Sequence, residues 1–226
     1  MIPQDLLLLE SIDSGQPLDL SQTRASKRTD RIITRTEKKL HQIITQIQSE
    51  FKQTNIYLLK QKYEKQVHDL IRFTIEDAYF EGLDYSDKAL NERQPVTVKD
   101  IERLNQLTQD AERRFWAIVL KLDKVREFSF SMVLSLISTI ISNMVTKSLN
   151  TATLANIEPI NPIDYSSQMQ VIFKTREDEK VCPICEPLNN NVYDINDAGK
   201  PDIPDDTHHN CRCRYLVYQD GKELAG

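Results

Sequence analysis

Two short groups of cysteine and histidine near the C-terminus are the residues in this sequence best suited to chemistry. Cys182 and Cys185 form a C-x-x-C pair, and His208, Cys211 and Cys213 follow later in the chain. A C-x-x-C pair can present two thiolates to one ion from a single tight turn, and a distant thiolate and imidazole can complete a tetrahedron around zinc. The residue types and their spacing therefore predict a zinc site.

The candidate ligands outnumber the four positions of a zinc tetrahedron. The first-ranked set consists of Cys182, Cys185, His208 and Cys211. In the second-ranked set Cys213 replaces Cys211 or His208, and His209 is a weaker third choice. A shell filled by protein ligands has no open position for water or substrate, so the predicted zinc is structural.

The position of the cysteines also bears on their redox state. The chain has 4 cysteines, all within 182–213. It begins with MIPQDLLLLESIDSG, which lacks the basic n-region of a secretory signal, so we expect the protein to stay in the cytoplasm where it is made. A reducing compartment favours metal binding over disulfides. Disulfides formed after release from the cell and reduced cysteines that only pack are the alternatives.

The segment that carries these ligands has few apolar residues of its own. Short β-prone runs at 171–173 and 215–218 flank a loop-like stretch rich in Pro, Asn and Asp. A segment with so little apolar surface to bury needs a cross-link, such as a bound metal ion, to fold. We predict a small zinc-stapled α/β or β-hairpin module at 170–226, preceded by a linker at 157–169 that contains Pro159 and Pro162.

The residues before the linker have helical periodicity, so the fold class is mainly α: a long-helix bundle or helical array over 29–156. The first helix begins near Thr29, the second ends at a Gly82 cap before a polar connection at 84–96, and Thr97 caps the third. The fourth begins near Phe128. Residues 1–28 form an N-terminal arm, in which only the leucine run 6–9 can bury apolar surface.

The most apolar stretch, 128–145, predicts a core helix rather than a membrane span. Serine, threonine and asparagine interrupt it repeatedly, and its uninterrupted pieces are shorter than the ~20 residues that a spanning helix needs. We therefore expect no contact with a membrane.

The amino-acid sequence around the cysteines resembles the signature of a known family. The two runs FKTREDEKVCPICEPLNNNVY and IPDDTHHNCRCRYLV resemble the C-terminal signature of Mu F-like phage head morphogenesis proteins, also called minor head or minor capsid proteins. His209 departs from the proline usual in that family, and Asn190 or Asn191 replaces its glycine. The matching positions are Thr175, Asp178, Val181, Cys182, Pro183, Cys185, Leu188, Val192, His208, Asn210, Cys211, Arg212 and Cys213.

The resemblance implies a structural protein of a tailed phage that acts in head assembly near the portal. Its partners would be the portal or the major capsid protein, and it would be found in the virion and, during assembly, in the host cytoplasm. A zinc-containing nucleic-acid-binding protein of a phage or mobile element is the alternative. The acidic residues that dominate 176–213 disfavour direct phosphate contact by the module itself. The motifs of common hydrolases and nucleotide-binding enzymes are absent, which predicts that the chain is not an enzyme.

Basic residues are concentrated at the start of the helical region, although the formal net charge of the chain is −5. The group comprises Arg24, Lys27, Arg28, Arg31 and Arg35. It could contact packaged DNA or an acidic portal surface. A solvated helix face opposite a buried stripe is the more usual explanation for such a pattern.

Overall fold

The computed structural model describes residues 24–51, 53–123, 130–157, 169–176 and 182–224. Within them the chain is mainly helical, with a small antiparallel sheet after the helices, as the sequence predicts. The long helices are α1 (Arg24–Phe51), α2 (Ile56–Leu90), α3 (Val98–Val119) and α4 (Phe130–Ile157). A short 3-10 helix, Leu120–Asp123, continues directly from α3.

Helix α1 buries the apolar stripe that its sequence predicts. Ile32, Leu40, Ile43 and Ile47 lie in the main core, and Thr36 lies on the same buried face. The Thr36 hydroxyl would be costly to bury alone, and it pairs with the Thr74 hydroxyl of α2 at 2.8 Å. The start of α1 at Arg24 places residues 24–28 of the predicted arm in a helix, whereas residues 1–23 lie outside the described part of the chain.

The predicted end of α2 at Gly82 is wrong. The helix continues through the predicted connection to Leu90 and ends at Asn91, which has a left-handed φ of 51° and donates its N–H to the carbonyl groups of Asp87 and Lys88. Gly82 is needed because α4 passes close by. A Cβ at this position would lie 2.4 Å from the carbonyl oxygen of Leu149. The glycine therefore marks a close helix contact and not a cap.

The predicted Thr97 cap of α3 is confirmed. The Asp100 N–H donates to the Thr97 hydroxyl oxygen at 3.3 Å, and the Thr97 N–H donates to the Asp100 carboxylate at 2.7 Å. This reciprocal arrangement is a capping box, which satisfies donors that the first turn leaves free. The Tyr79 hydroxyl also donates to Asp100 at 2.6 Å, which ties the start of α3 to α2.

Helix α4 contacts the other three helices and the sheet. Val133, Ile137, Ile141 and Val145 on it are fully buried, which explains the high apolar content of this segment. Among the described residues, Ser131–Ile157 is the one helical stretch long and apolar enough to cross a membrane, by length and composition alone. Half of its most apolar window, 50%, is buried inside the protein, and the core helix of a soluble protein has the same properties.

The C-terminal sheet has the strand order β2-β1-β3-β4, and all neighbours are antiparallel. Its strands are β1 (Gln170–Lys174), β2 (Val192–Asp194), β3 (Arg214–Gln219) and β4 (Lys222–Glu223). The two β-prone runs of the sequence form the central pair, with Ile172 opposite Leu216. The two edge strands are too short to show a period in the sequence, and the sequence did not predict them.

A second apolar core is built on both faces of this sheet. Val171, Phe173 and Leu216 come from the strands, whereas Tyr85 of α2 and Ile157 of α4 come from the helices. The helical region and the module therefore contribute to one shared cluster. The division of the chain at 157–169 stays a prediction, since 158–168 lie outside the described residues.

Candidate metal centre

The C-x-x-C segment folds as a tight turn that leads into a 3-10 helix, Glu186–Leu188. The N–H groups of Cys185 and Glu186 both donate to the Cys182 carbonyl, at 3.1 and 3.0 Å. The Cys185 N–H also lies 3.4 Å from the Cys182 sulfur. The turn therefore holds the sulfur of Cys182 beside the backbone of Cys185.

The second group of ligands lies on a turn that leads into β3. The Cys211 N–H donates to the His208 carbonyl at 3.2 Å, and Asn210 between them has a left-handed φ of 62°. Asparagine tolerates this conformation better than most residues. This turn brings His208 and Cys211 close to the C-x-x-C turn.

All five predicted metal ligands come together in two overlapping groups. Cys182, Cys185 and His208 form one, and Cys185, Cys211 and Cys213 form the other. Within each group the candidate ligand atoms lie within 4.8 Å of one another, and the sulfurs of Cys185 and Cys211 are 3.7 Å apart. Cys185 belongs to both groups and is 1% exposed. The cluster of thiol and imidazole groups can hold a metal ion, and each of the two groups supplies three ligands within this distance.

The donor types fit a soft or borderline cation. Thiolate and imidazole together are the ligands that zinc prefers in structural sites. None of the four cysteines is in a disulfide. His209, the third choice from the sequence, is in neither group, and its Nδ1 lies 3.3 Å from the Asn143 amide nitrogen of α4.

The ring of His208 is oriented by the backbone carbonyl of the next residue, His209. Its Nδ1 lies 2.8 Å from the His209 carbonyl oxygen, which can only accept a hydrogen bond. Nδ1 therefore carries the proton, and Nε2 keeps the lone pair. A metal-binding histidine commonly has this arrangement, in which the second ring nitrogen donates to a carbonyl.

The three buried thiols affect one another's ionisation. A hydrogen bond from Cys213 lowers the pKa of the Cys211 thiol. Burial, together with the nearby charge of Cys211, raises the pKa of Cys185 to about 12. The pKa of Cys213 is raised by its hydrogen bond to Cys211 and by burial. Several buried thiolates cannot coexist without a cation, so metal binding and deprotonation are coupled here.

Polar residues of α4 hold the second group of ligands in place. The Thr146 hydroxyl donates to the Cys211 carbonyl at 2.9 Å, and the Asn210 N–H donates to the Asn143 side-chain oxygen at 2.8 Å. Asn150 donates to the Cys213 carbonyl at 3.2 Å and accepts the Tyr215 N–H at 2.8 Å. We call Asn143, Thr146 and Asn150 the α4 polar stripe.

Sequence reasoning considered only Asn143 of the α4 polar stripe, as one interruption of the apolar segment 128–145, and did not consider Thr146 or Asn150. The signal was present, because steps of three and four residues place all three side chains on one helix face. Lys147 extends this contact to the loop before the ligands, since it pairs with Asp205 and lies 3.7 Å from Asp202.

The basic residues of α1 are partly engaged within the protein. Arg28 lies 3.0 Å from Glu81, and Arg35 lies 2.5 Å from Asp77, so both pair with carboxylates of α2. Lys27 and Arg31 are exposed. The side chain of Arg24 lies outside the described part of the structure. The prediction of a DNA contact by these residues stays a prediction.

No protein-family model, curated protein or solved structure matches this chain. The resemblance of the cysteine signature to phage head proteins therefore rests on its motif residues alone.

Proposed function

We propose that this chain is a structural minor head protein of a tailed phage, which acts in head assembly near the portal and carries a structural zinc ion. The gathering of five thiol and imidazole ligands around buried Cys185 is the observation that carries the proposal. The VCPIC and HHNCRC sequences resemble those of minor head proteins, and this resemblance is the reason for proposing a role in phage head assembly.

The arrangement of the ligands supports a structural rather than a catalytic role for the metal. Five candidate ligands are available for the four coordination positions of zinc, so no water molecule is needed to complete the coordination. Cys185, Cys211 and Cys213 are also buried. Zinc bound to such ligands contributes folding free energy on the order of 10 kcal/mol. In this proposal the chain has no enzymatic activity, and the zinc fixes the loops of the module against α4.

The helical region is proposed to make the main contact with the portal or the major capsid protein. Large apolar side chains remain exposed on it, including Leu58, Phe73 and Phe80 of α2 and Ile101 of α3. Large apolar side chains form the centre of protein interfaces, which a polar rim surrounds. The leucine run 6–9 in the predicted arm is proposed as an additional anchor, and it lies outside the described residues.

The proposal is tested by the composition of purified particles. The chain should be present in virions beside the portal, and deleting residues 1–28 should strongly reduce its incorporation. Cys185→Ser damages the module rather than the helices, so it should reduce incorporation much less than this deletion does. Absence of the wild-type chain from purified particles would refute the assembly role.

A zinc-containing nucleic-acid-binding protein is the second candidate, favoured by the exposed Lys27 and Arg31 of α1. It predicts tight binding to duplex DNA that weakens steeply with salt, and loss of that binding in a Lys27→Ala, Arg31→Ala double variant. Our leading proposal expects weak binding that the double variant leaves unchanged.

A further inference from the structure

The two groups of metal ligands differ in their donor atoms. One group combines the thiols of Cys182 and Cys185 with the imidazole of His208, whereas the other consists only of the thiols of Cys185, Cys211 and Cys213. We call the second group the thiol triad. Two sulfurs that bind one ion at ~2.3 Å lie about 3.8 Å apart in a tetrahedron. The Cys185 and Cys211 sulfurs are 3.7 Å apart, so this pair already has the separation of ligands that share an ion.

The thiol triad is also the more deeply buried of the two groups. Cys185, Cys211 and Cys213 are 1%, 0% and 5% exposed, whereas Cys182 and His208 are only partly buried. An ion bound by the three buried sulfurs would be surrounded by protein, and solvent water would have little access to it.

Hydrogen bonds fix the backbone of the triad. The Thr146 hydroxyl donates to the Cys211 carbonyl at 2.9 Å, and the Asn150 amide donates to the Cys213 carbonyl at 3.2 Å. The Cys185 N–H donates within its own turn, to the Cys182 carbonyl at 3.1 Å. A site whose ligands are held in this way is ordered before the ion binds, which favours binding.

Three sulfurs without a fourth ligand suit Cu(I) better than zinc. Zinc in structural sites takes four ligands in a tetrahedron, so beside the triad it would need Cys182, His208 or a water molecule as well. Cu(I) is a soft cation that thiolates select, and three sulfurs in a trigonal arrangement complete its coordination.

We propose that the thiol triad is a Cu(I) site, in which Cys185, Cys211 and Cys213 bind the ion through their three sulfurs. Cys213 distinguishes the two metals, because the Cu(I) site requires it and the first-ranked zinc set does not contain it. Cys185 and Cys211 belong to both sets, so Cu(I) and zinc exclude each other. The proposal rests on the ligand cluster of the proposed function and is independent of the phage assignment.

The test is an anaerobic titration of the full-length, reduced, zinc-loaded protein with Cu(I), in competition with the Cu(I) chelator bathocuproine disulfonate. We expect about one Cu(I) to bind per chain and to release the zinc, which a colorimetric zinc indicator measures. X-ray absorption at the copper edge should show three sulfur neighbours and no nitrogen. This last measurement uses the wild type, so it does not depend on the folding of any variant.

Two single substitutions separate the metals. Cys213→Ser removes one sulfur of the triad, and we expect it to weaken Cu(I) binding at least about tenfold while the first-ranked zinc set still binds zinc. His208→Ala is the matched variant, because it removes a ligand of the other group. We expect it to weaken zinc binding and to leave the Cu(I) affinity unchanged.

Three results would overturn the proposal. They are absence of Cu(I) binding by the wild type, nitrogen or fewer than three sulfurs around the copper, and full Cu(I) affinity in a folded Cys213→Ser variant. Failure of the zinc proposal has a different signature. Protein that binds no zinc but holds Cu(I) through three sulfurs would refute the structural zinc ion and support the triad.

Discussion

The helical bundle and the C-terminal module are held together by different kinds of interaction. The bundle core contains apolar side chains from all four helices, spread along their whole length. The core of the module is smaller and includes Tyr85 and Ile157, which belong to the helices. Around that core the module relies on a few individual contacts, namely the ligand cluster and the α4 polar stripe. Distributed burial tolerates local damage, whereas individual contacts do not.

Removing Cys185, the ligand that both groups share, should produce the largest difference in stability between the bundle and the module. In Cys185→Ser the shared member of both ligand groups is lost, and with it metal binding worth on the order of 10 kcal/mol. We expect residues 170–218 to lose their structure while most of the helix persists, which far-ultraviolet circular dichroism can measure. His209→Ala is the matched control and should retain both metal and sheet.

A global loss of helix in Cys185→Ser would show that the shared core makes the two regions one cooperative unit. Tyr85 and Ile157 are the residues through which such coupling would act.

Substitutions in the α4 polar stripe should have the next largest effect on the free energy of unfolding. Asn150 is 3% exposed and joins the Cys213 carbonyl and the Tyr215 N–H to α4. Asn150→Ala leaves these groups buried without partners, and we expect it to lower the free energy of unfolding by about 3 kcal/mol. Urea denaturation measures the change. Asn143→Ala, at a less buried position of the same stripe, should cost about 1 kcal/mol. Equal costs would mean that burial does not set the strength of these contacts.

Gly82→Ala tests the packing of the bundle itself. An alanine in a helix normally gains about 1 kcal/mol over glycine. Here the added Cβ would lie 2.8 Å from the Ala152 Cβ as well as against the Leu149 carbonyl, so we expect a net loss of about 2 kcal/mol. Thermal unfolding gives the sign. Gly199→Ala is the control, since a Cβ there meets only the Asp197 side chain and should change little. A stabilised Gly82→Ala protein would contradict the close approach of α4.

The smallest effect is expected at the ion pairs between α1 and α2. Arg35 and Asp77 form one of these pairs, and their side chains are 43% and 38% accessible, so this exposed pair contributes only about 0.5 kcal/mol. Asp77→Asn should therefore lower the free energy of unfolding by no more than this amount, and salt should reduce the difference. Asp69→Asn, at an exposed position of the same helix, is the control. A loss several times larger would show that the Arg35–Asp77 pair is structurally essential to the bundle.

The sequence predicted the features that depend on periodicity and on ligand spacing. The buried stripe of α1, the Thr97 cap and the central strand pair follow from patterns that local physics imposes. The five ligand candidates were also named from spacing alone. The true end of α2 could not be predicted, because a glycine suits both a cap and a close helix contact, and only the position of α4 decides between them.

The contacts that hold the metal ligands in place could not be predicted from the sequence either. Asn143, Thr146 and Asn150 contact residues more than sixty positions away, and no local pattern shows which loop a helix face will meet. The choice among the five ligands is set by the same tertiary packing.

Elemental analysis of the full-length protein purified under reducing conditions tests the central claim most directly. If the cluster is a structural metal centre, the protein should contain about one zinc per chain, because one tetrahedron uses four of the five ligands. Protein that is folded and fully reduced yet contains no zinc or other metal would contradict the claim.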